Sequence, residues 1–291
     1  MTTLLERGGP GEETAQRPRP TRTVSWRRRT VEILGKWLVF AVCIVLWQWA
    51  TVSAKNPYFP TPQVIGSKMV DLWLSGPPSH LFLTDAVSVD IVPSVLRLLS
   101  GFLAGAVIGI TFGLVLGRLG TLYDYVGPTL NFLRSIPPPA LLTVFIVLFG
   151  IGTPMQIAII IFGVIWPILL NTIDGARTLD ETVVSTSKSM RLSTPRFLAT
   201  VVFPAALPKI FAGLRVSLSL ALILMVISEL AGSFDGLGQQ MIYAQRNFDL
   251  AAMWAGIVLL GILGYVLNAL LLAVQNRVIG WHTRSKSLTG R

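Results

Sequence analysis

Long apolar runs alternate with short polar islands along this chain. The apolar runs fall at about Trp37–Val52, Leu98–Leu116, Pro139–Gly150 (or from near Tyr125), Gln156–Leu170, Ile210–Leu230 and Ala251–Val274. Their lengths and polar flanks predict an all-α membrane protein with six transmembrane helices. Proline punctuates the pattern. Asn56-Pro-Tyr-Phe-Pro-Thr-Pro62 excludes regular helix after the first span. Val64–Leu74 then reads as a short interfacial helix with Met69, Leu72 and Trp73 on one side. Ile136-Pro137-Pro138-Pro139 breaks or bends the start of the third span, Gly150–Pro154 reads as a tight turn, and Trp166-Pro167 interrupts the fourth span.

The second span carries Gly101, Gly105, Gly109, Gly113 and Gly117. Residues four apart share a helix face, so these form one smooth stripe that lets a second backbone approach closely. Five glycines weaken a helix, which makes tight packing within the subunit the favoured reading over a pore-lining one.

The polar island from Asp174 to Pro208 is too charged for hydrocarbon and carries helix signals. Thr178-x-x-Glu181 fits a capping box, with Asp180 as an alternative cap. Ser193-Thr194-Pro195 predicts a second start, with Thr194 as cap and Pro195 first in the helix. Two short helices follow, about 181–190 and 195–203, closed by Pro204 and Pro208. A structured loop of this kind between spans predicts a surface held by a soluble partner.

Composition agrees with a membrane protein: 52% hydrophobic residues and 13% charged, about half the charge of a soluble domain. The net charge of +10 sits at membrane flanks rather than on one patch, which argues against nucleic acid as a partner. Residues 1–30 predict a disordered basic cytoplasmic tail whose Arg27-Arg28-Arg29 would meet lipid head groups. Residues 31–281 form the membrane domain, and 282–291 a second cytoplasmic tail. With the N-terminus inside, 20 of the 24 Lys and Arg lie on cytoplasmic segments; Lys55, Lys68, Arg97 and Arg246 fall outside. That bias sets the chain N-in and C-in.

Catalytic chemistry is missing from the sequence. No Gly-x-x-x-x-Gly-Lys-Ser/Thr is present, nor a metal-spaced cluster, nor a plausible catalytic triad around His80 and His282. Cys43 is alone inside a span. The chain therefore reads as a non-enzyme with no cofactor, no metal and no catalytic residue. Few ionisable groups lie within the spans, against a buried proton or sodium relay. Glu229, at the end of the fifth span, is either functional or an interfacial carboxylate reaching for water.

Phe203-Pro204-Ala-Ala-Leu-Pro208 resembles the end of the cytoplasmic coupling loop of ABC importer permeases. Counting back, the family's Glu-Ala-Ala positions hold Ser185-Thr186-Ser187, and its Gly position holds Arg191. Pro167–Thr172, Ala212–Arg215 and the Ile-Pro-Pro run are similar to the nitrate/sulfonate/taurine branch, over about residues 36–281. The resemblance implies the fold of a type I importer permease in the bacterial inner membrane. It also implies three partners: a cytoplasmic ATPase, an extracytoplasmic solute-binding protein and a second permease subunit, expected to be an identical copy. Ser185, Thr186, Ser187, Lys188, Arg191, Thr194, Pro195, Pro204 and Pro208 would couple to the ATPase. Lys188, Arg191 and Arg196 would face that partner or be plain solvated charges. Glu229, Gly236 and Gly238, with Pro137, Pro138 and Pro139, would line the pathway or its outer gate. The competing reading is a secondary transporter or channel that works alone, for which internal repeats and buried charges would be the mark.

Overall fold

A computed structural model describes residues 26–54 and 56–289. Two units divide the chain, Met1–Ala50 and Thr51–Arg291. The first unit holds most of helix α1 (Trp26–Ala54), which is apolar and long enough to cross a membrane from Trp37 onward. Trp26–Thr30, expected in the tail, already belong to α1; the rest of the expected tail lies outside the described residues.

The second unit opens with α2 (Pro62–Met69), capped by Thr61 Oγ1, which accepts from Val64 N–H at 3.4 Å. A π turn, Val70–Leu74, extends it, and Ile65 and Trp73 are its buried residues. Then come α3 (Val92–Arg118), α4 (Gly120–Arg134), α5 (Leu142–Phe149), α6 (Thr153–Arg177), α7 (Glu181–Ser189), α8 (Thr194–Phe197), α9 (Phe203–Ala231), α10 (Leu237–Arg246) and α11 (Leu250–Thr289). All regular structure among the described residues is helical. The expected C-terminal tail is helical as far as Thr289.

Five helices are long and apolar enough to span a membrane, and α4 with the Pro138–Phe149 segment forms a sixth, bent by 80°. The packing of α3 on α6 requires that sixth crossing. Gly101 faces Ile160, Gly105 faces Val164, Gly109 faces Ile168, Gly113 faces Thr172 and Gly117 faces Ala176. Both helices advance together, so they run parallel, and the chain must cross back between them. A Cβ on these glycines would lie 2.6, 2.3, 3.0, 2.5 and 2.6 Å from the facing side chains. The stripe is therefore filled by α6. In lipid there is no water to expel, so this close packing is itself a main source of helix association.

Helix α9 packs on α6 in the opposite sense: Gly175 lies against Ala206, Gly213 against the Pro167 carbonyl, and Gly163 against Leu224. Leu98, Ile160, Val164, Ile168, Ala221 and Met225 meet in the common core. Trp166-Pro167 does not interrupt α6, which continues to Arg177. Spanning helices tolerate proline where neighbours supply hydrogen bonds. Near the proline, Ser217 Oγ of α9 donates to Val164 O at 2.8 Å, and within α6 Asn171 Nδ2 donates to Pro167 O at 2.8 Å.

Pro204 and Pro208 do not close a helix either. Thr194 to Ala231 forms one span, with a π turn at Leu198–Val202. Phe203 N–H bonds back to Leu198 O, and this wider turn makes room for the Pro204 ring. Pro208 sits inside α9.

Outside the spans, α11 is capped by Asp249, whose Oδ1 accepts from Ala252 N–H at 3.0 Å. The Lys68 ammonium 2.8 Å away holds the Asp249 carboxyl below the usual carboxylate range. A lowered pKa means the stabilisation is complete above about pH 4 and fades as acid protonates Asp249. Asp249→Asn is therefore expected to loosen α2 from the start of α11 at pH 7, with an effect that shrinks as pH falls below about 4, read by hydrogen exchange across a pH series.

Candidate functional site

Two polar clusters stand at opposite ends of the bundle, and α9 joins them.

At one end, α7 begins on the alternative cap: Asp180 Oδ1 accepts from Thr182 N–H at 2.8 Å. That bond holds the Asp180 carboxyl below its ordinary range. Thr178 instead donates to Gly175 O and finishes α6. Asp180→Ala should shorten α7 and raise its amide exchange, whereas Asp180→Asn should preserve it.

Helix α7 has two faces. Val184 and Ser187 turn inward, and Ser187 is buried. With Arg118, Leu192, Thr194 and Phe197 they line a pocket of about 190 Å³. Val183, Thr186 and Met190, at i, i+3 and i+7, face outward; Met190 is 70% exposed. Ser185, Arg191, Thr194 and Pro195 are exposed too, while Pro204 and Pro208 are half-buried. The Lys188 side chain lies outside the described set. Arg191 adopts φ +51°, and Leu192 N–H bonds to Ser187 O at 3.3 Å, the closing bond of a Schellman turn. Ser193, rather than Thr194, stands at the cap position of α8, with Pro195 inside the first turn, where a missing N–H leaves no bond unmade.

Four contacts brace this end of the bundle, and the first of them holds α8. Arg118 lies over the Phe197 ring at 5.4 Å and donates to Ala176 O at 3.3 Å. Arg177 lies over Tyr123 at 3.9 Å. Lys209 pairs with Asp174 at 2.7 Å.

At the other end, Glu229 is fully buried. It neither snorkels to water nor stands exposed. Its carboxylate accepts from Ser94 Oγ (2.7 Å), Arg97 Nη1 (3.0 Å) and Gly238 N–H (2.9 Å). Gly238 lies in the first turn of the ten-residue α10, whose amide dipoles also favour an anion there. Arg97 is 5% exposed, not an outer-loop residue. Besides Glu229, it donates to the Asp235 carboxylate and to Thr153 Oγ1 at 3.1 Å. Ser94 Oγ in turn accepts from Leu237 N–H at 2.9 Å. The cluster thus ties α3, α6, α9 and α10 together. Gly236 and Gly238 belong to it sterically. A Cβ on Gly236 would stand 2.6 Å from Glu229 Oε1, and Gly236 has φ +104°. A Cβ on Gly238 would stand 2.6 Å from Glu229 Cβ. Sequence reasoning brought Glu229, Gly236 and Gly238 into one group but missed Ser94, Arg97 and Asp235.

The proline break is a separate place. Pro137 is extended (ψ 123°) and Pro138–Leu141 makes a 3₁₀ turn. Pro138 packs near Gly163, about midway along α6, while Pro137 and Pro139 are exposed.

Five long apolar helices, a bent sixth apolar segment and a short capped helix outside the spans define a polytopic membrane protein. The chain matches the family of binding-protein-dependent transport system inner membrane components over residues 105–280. It is 30% identical to SsuC of Bacillus subtilis, assigned to aliphatic sulfonates transport, over 84% of this chain and 86% of that protein. It is 28% identical to the nitrate import permease NrtB of Synechocystis, over 83% and 88% of the two chains. It is 27% identical to the taurine transport system permease TauC of Escherichia coli, over 90% and 95%. The inward-facing MetNI methionine ABC transporter has a similar fold: TM-score 0.56 at 23% identity, covering 70% of this chain and 99% of that one. The chain belongs to the binding-protein-dependent inner-membrane permeases. It is a multi-pass translocation subunit of an ABC importer, and its partners include an ATPase and a solute-binding protein.

Proposed function

We propose that this chain imports a small anion of the nitrate, sulfonate or taurine type, as one of two identical subunits around a shared path. The relatives' substrates support the class of solute. The proline break supports the shared path. Irregular backbone at membrane depth is stable only against protein or a water-filled cavity, and Pro137 and Pro139 are exposed in the single chain. ATP is hydrolysed on the partner, since this chain carries no P-loop.

The observation that carries the proposal is α7: a capped helix, anchored to the bundle, with Val183, Thr186 and Met190 turned outward. It docks in a groove of the ATPase. Motion of α7 passes to α8 and through the π turn into α9, whose far end holds Glu229 in the outer cluster. Closure of two ATPases would thereby reset the outer ends of the spans. Selectivity rests with the binding protein; Arg97 has its charge engaged by Glu229 and Asp235 and leaves none for an anion in the path.

The test is affinity purification of the tagged chain in mild detergent. A P-loop ATPase should co-purify with the wild type and be lost when residues 181–203 become a Gly/Ser linker. Retention of the ATPase by the linker variant would overturn docking through this segment. The buried Arg97–Glu229 pair is the one observation that favours a self-contained transporter, because intramembrane charge is the usual mark of ion coupling. Its saturated hydrogen bonding fits a structural tie better.

A further inference from the structure

We infer that the Arg191 guanidinium is a direct recognition element for a carboxylate on the cytoplasmic ATPase; this rests on the docking reading above. The argument starts from the backbone. Arg191 stands at the residue just past the end of α7, with φ +51°. That position is the usual place for glycine, because a Cβ is sterically disfavoured in the left-handed region. Leu192 N–H still closes the turn onto Ser187 O, so the turn holds without glycine and the strain is retained. Strain kept in place points to a side chain that is used.

Among the described residues, no ion pair or side-chain hydrogen bond engages it. Arg191 is exposed. The salt bridges among the described residues are Lys68–Asp249, Arg97–Glu229, Arg97–Asp235 and Lys209–Asp174. From Thr182 to Ser228 the sequence holds no Asp or Glu at all, while it places Arg191 and Arg196 on the same turn region. A basic group with no local acid stands beside Met190, which ends the outward stripe of α7 and is 70% exposed. Exposed Val183 and Met190 beside an arginine fit a groove with an apolar floor and an acidic rim. Arginine suits that rim, since its planar fork binds a carboxylate through two parallel hydrogen bonds.

The test compares Arg191→Gly, Arg191→Gln and Arg191→Lys for binding of the ATPase that co-purifies with the wild type, across a salt series. Gly removes both strain and side chain; Gln and Lys keep the strain and differ in charge. We expect Gly and Gln to bind about tenfold more weakly, equal to ~1.4 kcal/mol, with a flatter salt dependence, and Lys, which keeps the charge but not the fork, to fall between them and the wild type. Gly should also match or exceed the wild-type melting temperature in detergent. Wild-type affinity in either Gly or Gln would overturn the inference. If the 181–203 linker loses the ATPase while Arg191→Gln keeps it, docking stands and only this inference falls. If the wild type itself holds no ATPase, both fall.

Discussion

Arg97→Ala is expected to destabilise the bundle by ~3–5 kcal/mol, the cost of leaving a buried charge without its counter-ion. Glu229 has no exposed surface. Without the guanidinium it would keep Ser94 and Gly238 N–H, but its charge would lie uncompensated at the membrane edge. The variant would also release Asp235 and Thr153, and with them the join between α10 and α6. Removing the charge as well should undo much of this. Arg97→Ala with Glu229→Gln should recover at least half of the loss, because the amide oxygen still accepts from Gly238 and Ser94. Arg97→Lys should fall between, since one ammonium cannot reach three partners as a fork does. Thermal unfolding of the detergent-purified chain, run as a double-mutant cycle, checks this. Additive losses would mean that the two residues do not form a unit.

Gly105→Leu is expected to prevent assembly of the bundle, and Gly105→Ala to cost ~1–3 kcal/mol by overpacking. A single Cβ there would already lie 2.3 Å from Val164 Cγ2, with Ile161 O at 3.5 Å behind it. Val164 is β-branched and fully buried, so its methyl cannot swing aside as a long side chain can. Trimming the facing residue should help, so Gly105→Ala with Val164→Ala should regain most of the loss. Gly261 supplies the control: a Cβ there meets nothing within 4 Å, and Gly261→Ala should be neutral or slightly stabilising. Folded yield and melting temperature in detergent read the series. Equal effects at Gly105 and Gly261 would contradict the packing geometry.

Much of this architecture was legible from periodicity alone. Apolar runs gave the spans, the Ile136–Pro139 run gave the bend, and glycines four apart gave a face that α6 fills. The errors have physical causes. A charge at a span end reads as a flank, which puts Arg97 outside. Yet 97 precedes 101 by four, so Arg97 continues the glycine stripe by one turn and had to face α6. That stripe, extended backwards, was the signal for a buried arginine, and Ser94 follows from it at i−3. Asp235 had no such signal, because a link between helices carries no period. The run of one helix through Pro204 and Pro208 was missed for another reason. Proline rules are set by water-exposed helices, and here a π turn and close packing take up the ring. The two short helix starts after α6 were legible from their caps and from Pro195, but which residues of α7 face outward depends on its rotation against Phe197 and Arg118, which local sequence does not encode.

The central claim, import driven by ATP on a partner, is tested most directly by uptake into proteoliposomes. The co-purified assembly would be sealed in with ATP, and radiolabelled taurine or nitrate added outside with its binding protein. The account predicts accumulation against the gradient that stops when ATP is replaced by a non-hydrolysable analogue and is lost with the 181–203 linker. Accumulation without ATP, driven by an ion gradient and abolished by Glu229→Gln, would contradict it and assign the transport to this chain alone.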